Sequence, residues 1–273
     1  MKTKRLIAWT FVVGLTMTIA ACGIGKDSSD EVPSGGFNLF SVQQDRDLGA
    51  QVAAEIAANP AEFPILDSAS NVKAYKYIYG IRDEILATGK VTHKDDFVWQ
   101  VRIIDNDTTL NAFCTPGGYI YFYIGIIKYL ENEAELAGVM GHEMGHADLR
   151  HSTRQMTKIY GVQILAAAAL GQREALAQIT TGLIGLKFSR SHETEADRIS
   201  VEYLCGTHWP ADGGAGFFEK IEAQGGSGVP EFISTHPSPE NRIENYHKWA
   251  KESNCAGNDN GEMSFREFQA LFD

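Results

Sequence analysis

The sequence predicts an α+β fold that is mainly helical and carries a small antiparallel sheet. Residues 41–59 and 70–89 repeat apolar side chains at helical spacing, and the chain from residue 131 onward is mostly of the same kind. Between them, residues 97–104 and 119–123 are short, β-branched and aromatic, which is typical of strands. A chain of 273 residues is long enough to bury a core around such a sheet.

The ends of these elements are marked by residues that interrupt regular structure. The first helix is expected to end at Asn59, because a proline follows it. Residues 105–109 and 115–118 are rich in turn-forming residues and separate the two strands. The apolar run 159–171 is followed by a polar break, which predicts a buried helical hairpin rather than a membrane-spanning helix.

Composition disfavours several functional classes. Hydrophobic residues make up 44% of the chain and charged residues 22%, so wholesale disorder is not expected. The net charge of -11 disfavours a nucleic-acid partner, which would require a basic face. The four cysteines are too few for a fold built on disulfides.

The N-terminal segment has the pattern of a targeting signal. Residues 1–21 combine a positively charged start, an apolar core and small residues before Cys22, which resembles a bacterial lipobox whose cysteine is lipidated. The alternative is an ordinary cleavage site with a chance cysteine nearby. Residues 22–40 then predict a flexible tether, rich in Gly, Ser and Asp. We expect a periplasmic protein anchored by lipid to the cell envelope, and Gly23 is compatible with the outer membrane.

The remainder is expected to form one compact domain over residues 41–253, followed by a short tail, 254–273. Three cysteines would remain after lipidation of the first one. Cys205 and Cys255 are candidates for a disulfide in an oxidising compartment, although both could equally be free and buried. Cys114 would stay unpaired if they pair.

The segment Gly141-His142-Glu143-Met144-Gly145-His146 contains the pattern H-E-x-x-H. On a helix, His142 and His146 lie on one face, so both imidazoles can point at one metal ion. Glu143 is one position further round, where its carboxylate can act as a base without binding the metal. The alternative is a surface helix with two satisfied histidines. The glycines of this segment favour close approach of another backbone.

A catalytic zinc site needs a third protein ligand, and a second acidic segment offers one. If residues 189–198 are helical, Glu193 and Asp197 share a face. Glu193 can then supply a carboxylate oxygen, and Asp197 can accept the outer N–H of a ligating histidine. A solvated acidic patch is the alternative, and spacing leaves His192 and Glu195 open as rival ligands.

These two motifs, together with residues 111–120 and 234–242, resemble the zincin metallopeptidases that include the CAAX prenyl endopeptidases and HtpX. Within that family the chain is most similar to soluble periplasmic lipoprotein peptidases such as LoiP and the catalytic half of BepA. The resemblance implies a zincin-like domain that binds one zinc ion per chain through His142, His146 and Glu193, with Glu143 as the base. Residues 118–123 would form an edge strand along the active-site cleft, where an extended substrate can pair with it.

His236 and Asn111 are the candidates for a further catalytic group, in that order, because the oxyanion needs a donor besides the metal. In the BepA-like branch a histidine at the position of His236 can instead bind zinc and hold the enzyme latent, and a histidine that merely caps a loop is the other alternative. The expected function is zinc-dependent hydrolysis of peptide bonds in misfolded or unassembled envelope proteins by a metal-activated water, with self-inhibition by His236. A latent, zinc-containing, chaperone-like assembly factor is the competing hypothesis.

Overall fold

The computed structural model describes residues 37–160, 162–225 and 230–273. The predicted signal peptide, Cys22 and the tether up to residue 36 lie outside the described residues. The helices within them are α1 (Val42–Ala57), α2 (Val72–Ala87), α3 (Ile124–Tyr129), α4 (Glu133–Asp148), α5 (His151–Ile159), α6 (Val162–Ala169), α7 (Arg173–Ile184), α8 (Arg190–Leu204), α9 (Gly213–Ala223), α10 (Pro230–Thr235), α11 (Arg242–Glu252) and α12 (Glu262–Gln269). The predicted α+β, mainly helical class is confirmed.

The first two helices form where periodicity predicts them. α1 begins with a capping box, in which the Ser41 hydroxyl accepts the backbone N–H of Gln44 and the Gln44 side chain accepts that of Ser41. It ends at Ala57, two residues before the expected boundary at Asn59. α1 and α2 pack against opposite faces of the sheet. The buried residues of α1 belong to one hydrophobic cluster and those of α2 belong to the other.

The sheet has three strands, β1 (Gln100–Ile104), β2 (Ala112–Thr115) and β3 (Tyr119–Tyr123), in the order β1-β3-β2. β3 pairs with β2 in antiparallel and with β1 in parallel orientation, so the sheet is mixed and not purely antiparallel. The prediction that residues 118–123 form an edge strand is therefore wrong. β2 was not foreseen as a strand; it takes one edge and leaves β3 in the centre.

The sheet separates two hydrophobic clusters. One face of β3 presents Tyr121 and Tyr123, which pack with Phe113 and the helices α1 and α5–α7; the rings of Tyr121 and Phe113 stack at 4.7 Å. The other face presents Ile120 and Phe122 to α2, α4, α8 and α9. Tyr121 and Tyr123 therefore contribute to the packing of this face of the sheet.

Helix α4 is buried along its whole length between the sheet, α8 and α9. Its glycines permit this close packing. A Cβ at Gly138 would lie 2.3 Å from the Cα of Gly214 in α9, and one at Gly145 would lie 2.4 Å from Cγ2 of Ile199 in α8. The expected close approach of another backbone is confirmed.

The C-terminal segment is part of the same packed unit. Phe265 and Phe268 of α12 are buried in the core cluster that contains α4, and a disulfide joins Cys205 to Cys255. Cys114 is free and buried, as expected if the other two pair. The apolar run 159–171 contains α6. The polar break follows it, and α6 and α7, on either side of that break, pack against each other. Among the described residues, no helix is both long and apolar enough to cross a membrane.

Candidate metal centre

Helix α4 presents the residues of the H-E-x-x-H pattern to the interior. Its N-terminus is capped by Asn132, whose side chain accepts the backbone N–H of Glu135. His142, Glu143 and His146 are 2%, 0% and 0% exposed, so the alternative of a surface helix is wrong. The Nε2 atoms of the two histidines lie 3.0 Å apart, because residues four apart share a helix face.

Helix α8 brings the acidic residue that the sequence predicts as the third ligand. Ser189 caps the helix through the backbone N–H of His192. One turn further on, Glu193 is fully buried, with Oε2 3.4 Å from Nε2 of His142 and Oε1 3.3 Å from Nε2 of His146. The acidic segment is therefore not a solvated patch.

His236 follows α10 and completes the cluster. Its ring stacks on Phe232 at 4.5 Å, and its backbone N–H donates to the carbonyl of the same residue. Nδ1 lies 3.3 Å from Nε2 of His142 and 3.3 Å from Oε1 of Glu193, while Nε2 lies 3.5 Å from Oε1 of Glu143. One ligand atom from each of the four residues His142, His146, Glu193 and His236 lies within 4.8 Å of the others.

The donor set fits a zinc ion. Three imidazole nitrogens and a carboxylate oxygen are ligand types of tetrahedral zinc sites. Lone pairs that face one another at these distances repel unless a proton or a cation lies between them. Within the described residues, the buried Oε1 of Glu193 and both carboxylate oxygens of Glu143 have no hydrogen-bond partner, and unsatisfied acceptors of this kind fit a site that a cation completes.

Asp197, one turn beyond Glu193, fixes the orientation of His142. Its Oδ1 lies 2.8 Å from Nδ1 of His142 and also accepts hydrogen bonds from Arg242 at 2.7 Å and from the Tyr246 hydroxyl at 2.9 Å. Because a carboxylate only accepts, Nδ1 of His142 carries a proton, which leaves Nε2 as the nitrogen that would bind a metal ion.

The pKa shifts follow from this burial and charge. Burial lowers the pKa of His142, but the Asp197 and Glu193 carboxylates outweigh it and raise that pKa to about 9. Burial holds the pKa of His146 well below its usual value. For Glu193, burial raises the pKa, but the facing His236 and His146 hold it well below its usual range. Glu193 is therefore an anion.

The two rival ligands lie outside the metal cluster. Oε2 of Glu195 is 3.1 Å from Nε2 of His151, and the His192 ring stacks on the His151 ring at 4.4 Å. His151 itself has Nδ1 2.9 Å from Nδ1 of His146. No residue stands at metal-ligand spacing from His151 in the sequence, so its contact with His146 could not be predicted from the pattern.

Arg242 is a second residue that sequence reasoning missed. It is 4% exposed, and its Nη2 donates to both Glu193 at 3.2 Å and Asp197 at 2.7 Å. Burial lowers its pKa, but the Asp197 and Glu193 charges outweigh this and raise it. Arg242 is the last residue of segment 234–242, which carries part of the family resemblance, and this position could have indicated a role at the site.

The remaining candidate, Asn111, immediately precedes β2, the strand that contains Cys114 and packs against α4. Asn111 is buried, and its side-chain oxygen accepts the backbone N–H of Ala112; the described contacts include none between Asn111 and the metal cluster. Its role as a substrate-side donor stays a prediction. Burial, and next the nearby Glu143 carboxylate, raise the pKa of the Cys114 thiol well above its usual value.

Comparison with known proteins agrees with this geometry. The model of peptidase family M48 matches residues 76–250, which contain both helices of the metal cluster and His236. The chain belongs to peptidase family M48. The resemblance to the zincin metallopeptidases is thereby confirmed, and the prediction of a metallopeptidase is confirmed at the level of the family.

Members of family M48 with curated names are similar over the same region. Mitochondrial metalloendopeptidase OMA1 of Schizosaccharomyces pombe is 32% identical over 184 residues, which are 65% of this chain and 53% of that protein. OMA1 of Arabidopsis thaliana is 30% identical over 57% of this chain and 32% of its own length. The beta-barrel assembly-enhancing protease of Escherichia coli is 31% identical over 52% of this chain and 32% of its own. The chain thus spans between about a third and about half of these relatives.

Proposed function

We propose that this member of family M48 is a zinc metalloendopeptidase that cleaves proteins of the cell envelope. The observation that carries the proposal is the convergence of His142, His146 and Glu193 from two helices. Glu143 lies beside them, and its carboxylate oxygens have no hydrogen-bond partner among the described residues. Zinc supplies a Lewis acid that activates water and polarises a peptide carbonyl. His236 is a candidate fourth ligand in the same cluster.

Glu143 is proposed as the general base and acid. It follows His142 in sequence, so its side chain points to one side of the pair of histidines and not between them. Neither of its oxygens is engaged by a hydrogen bond within the described residues, so either one can accept the proton. After bond cleavage the same carboxyl can return that proton to the leaving amine.

The proposed substrate-binding edge is β2 and not β3. Tyr123 donates its backbone N–H to the carbonyl of Asn111, which makes them a hydrogen-bonded pair of the antiparallel ladder. Such pairs alternate, so the main-chain groups of Ala112 and Cys114 point away from β3. Cys114 lies close enough to Glu143 for that carboxylate to raise its pKa. An extended peptide that pairs with this edge would lie beside the proposed base.

His236 is proposed as a self-inhibitory group. It is 1% exposed and lies within 3.5 Å of Glu143 as well as of the cluster. A substrate carbonyl has to approach on the side of Glu143, so the imidazole in this position blocks it. Activity would require α10 and the following residue to move.

The compartment and the substrates are proposed from the sequence and from the relatives. The pattern that ends at Cys22 predicts a lipid anchor. The named relatives include a mitochondrial enzyme and a protease that enhances β-barrel assembly, which favours a membrane or envelope setting. We propose misfolded or unassembled envelope proteins as substrates.

The test is casein cleavage by the zinc-loaded protein and three variants. Glu143→Gln is expected to reduce cleavage by about 10²- to 10⁴-fold while it retains zinc, because only proton transfer is lost. His236→Ala is expected to raise cleavage, and exposed His247→Ala is the matched control. Holdase activity that Glu143→Gln leaves intact, without cleavage in any form, would contradict the proposal and support the assembly-factor hypothesis. A fall in His236→Ala would refute self-inhibition and indicate a substrate-side donor.

A further inference from the structure

The second metal-facing histidine, His146, has a partner on its outer nitrogen that differs from that of His142. His142 is held directly by the Asp197 carboxylate. Nδ1 of His146 lies instead 2.9 Å from Nδ1 of His151, a fully buried histidine at the start of α5. The other nitrogen of His151 lies 3.1 Å from Oε2 of Glu195 in α8.

The Glu195 carboxylate determines which nitrogen donates and which accepts in the series of contacts from Glu195 through His151 to His146. Glu195 accepts, so Nε2 of His151 carries a proton. In a neutral imidazole the other nitrogen is then an acceptor, and Nδ1 of His151 receives the N–H of His146 Nδ1. Nε2 of His146 is left with its lone pair towards His142 and Glu193, at 3.0 Å and 3.3 Å.

We propose that Glu195 and His151 form a positioning relay that holds His146 in the tautomer and orientation required of a zinc ligand. The relay rests on the metal site proposed above. Glu195 is two positions beyond Glu193 and so points about 200° round α8 from it. The Glu195 side chain therefore faces α5 and not the metal cluster. His151 lies between the Glu195 carboxylate and His146 and contacts both.

The backbone conformation of the preceding residue, Arg150, places His151 at the start of α5. Arg150 adopts the left-handed conformation with φ of 59°, which ends α4 and turns the chain so that α5 begins at once. The Arg150 side chain secures this turn through Asp45 and the carbonyl of Phe40. The stacked His192 ring fixes the plane of the His151 ring, at an angle of 10°.

The test is zinc affinity, measured by competition with a chromophoric chelator on the full chain. His151→Phe keeps the ring and its stacking but removes the acceptor, and it should weaken zinc binding by about 10- to 100-fold. His151→Gln can accept from His146 and donate to Glu195, and should recover most of the loss. The visible spectrum of the Co²⁺-substituted protein should change in the first variant and return in the second. His192→Phe, which keeps the stacking partner, is the control and should bind as the wild type does.

The outcomes separate the relay from the metal site. Wild-type protein that fails to bind zinc overturns the proposed site itself. If the wild type binds and His151→Phe binds as tightly, the relay alone is overturned; an equal loss in His192→Phe assigns the effect to packing and overturns it too. If His151→Phe does not fold, Glu195→Ala takes its place, and unchanged affinity in that variant has the same consequence.

Discussion

Replacement of Asp197 by alanine should destabilise the fold more than any surface change on the same helix. Its Oδ1 accepts from His142, Arg242 and Tyr246, all within 2.9 Å, and the residue is 1% exposed. Removal leaves the Arg242 guanidinium buried with Glu193 as its remaining partner. Loss of one member of a buried ion pair costs about 3–5 kcal/mol.

This free energy converts to a fall in melting temperature of about 6–20 °C, since 1 kcal/mol shifts a domain of this size by about 2–4 °C. Urea unfolding of the metal-free protein measures it directly. Glu202→Gln is the matched control, because Glu202 lies on the same helix and its side chain pairs with Arg198 at 3.4 Å while the two side chains stay 45% and 34% exposed. That variant should lose less than about 1 kcal/mol. Equal, small losses of stability in Asp197→Ala and Glu202→Gln would show that the buried contacts of Asp197 do not stabilise the fold to this extent.

Three further predictions concern packing, the disulfide and pH. Gly138→Ala should destabilise the protein by more than about 1–3 kcal/mol, because its Cβ would meet the backbone of α9 at 2.3 Å; thermal unfolding checks it. Reduction of the Cys205–Cys255 disulfide, which closes a loop with a sequence separation of 50, should cost about 4 kcal/mol in urea unfolding, and the double serine variant should be insensitive to reductant. The hydrogen bond with Asp212 raises the pKa of His247 above 6.5, so the pair stabilises the fold at low pH and this contribution is lost as the pH rises through the folded-state pKa; proton NMR should show a lower pKa in Asp212→Asn.

The metal cluster could be predicted largely because its residues obey local spacing rules. His142 and His146 are four apart, as are Glu193 and Asp197, and a helix places each pair on one face. That the two helices meet came from the family resemblance and not from periodicity. The glycines of α4 pointed correctly to close packing but not to the partner helices.

Other features depend on tertiary contacts that no local pattern carries. β2 is a strand of four residues without alternation, so it was missed, and the error placed β3 at the edge. His151 reaches His146 only because Arg150 turns the chain between them. Arg242 is distant in sequence from both carboxylates it contacts. A sequence motif can draw attention to residues such as His151 and Arg242, but the side chains they contact cannot be derived from the motif.

Metal analysis of the purified protein shows whether α4 and α8 together hold one zinc ion, as proposed. We predict one zinc ion per chain in the wild type, removed by a chelator together with casein cleavage and restored with it by added zinc. Glu193→Ala, in the second helix, should purify folded but without stoichiometric metal. A wild type free of metal after incubation with zinc, or a Glu193→Ala variant that binds zinc as the wild type does, would overturn the proposed zinc site.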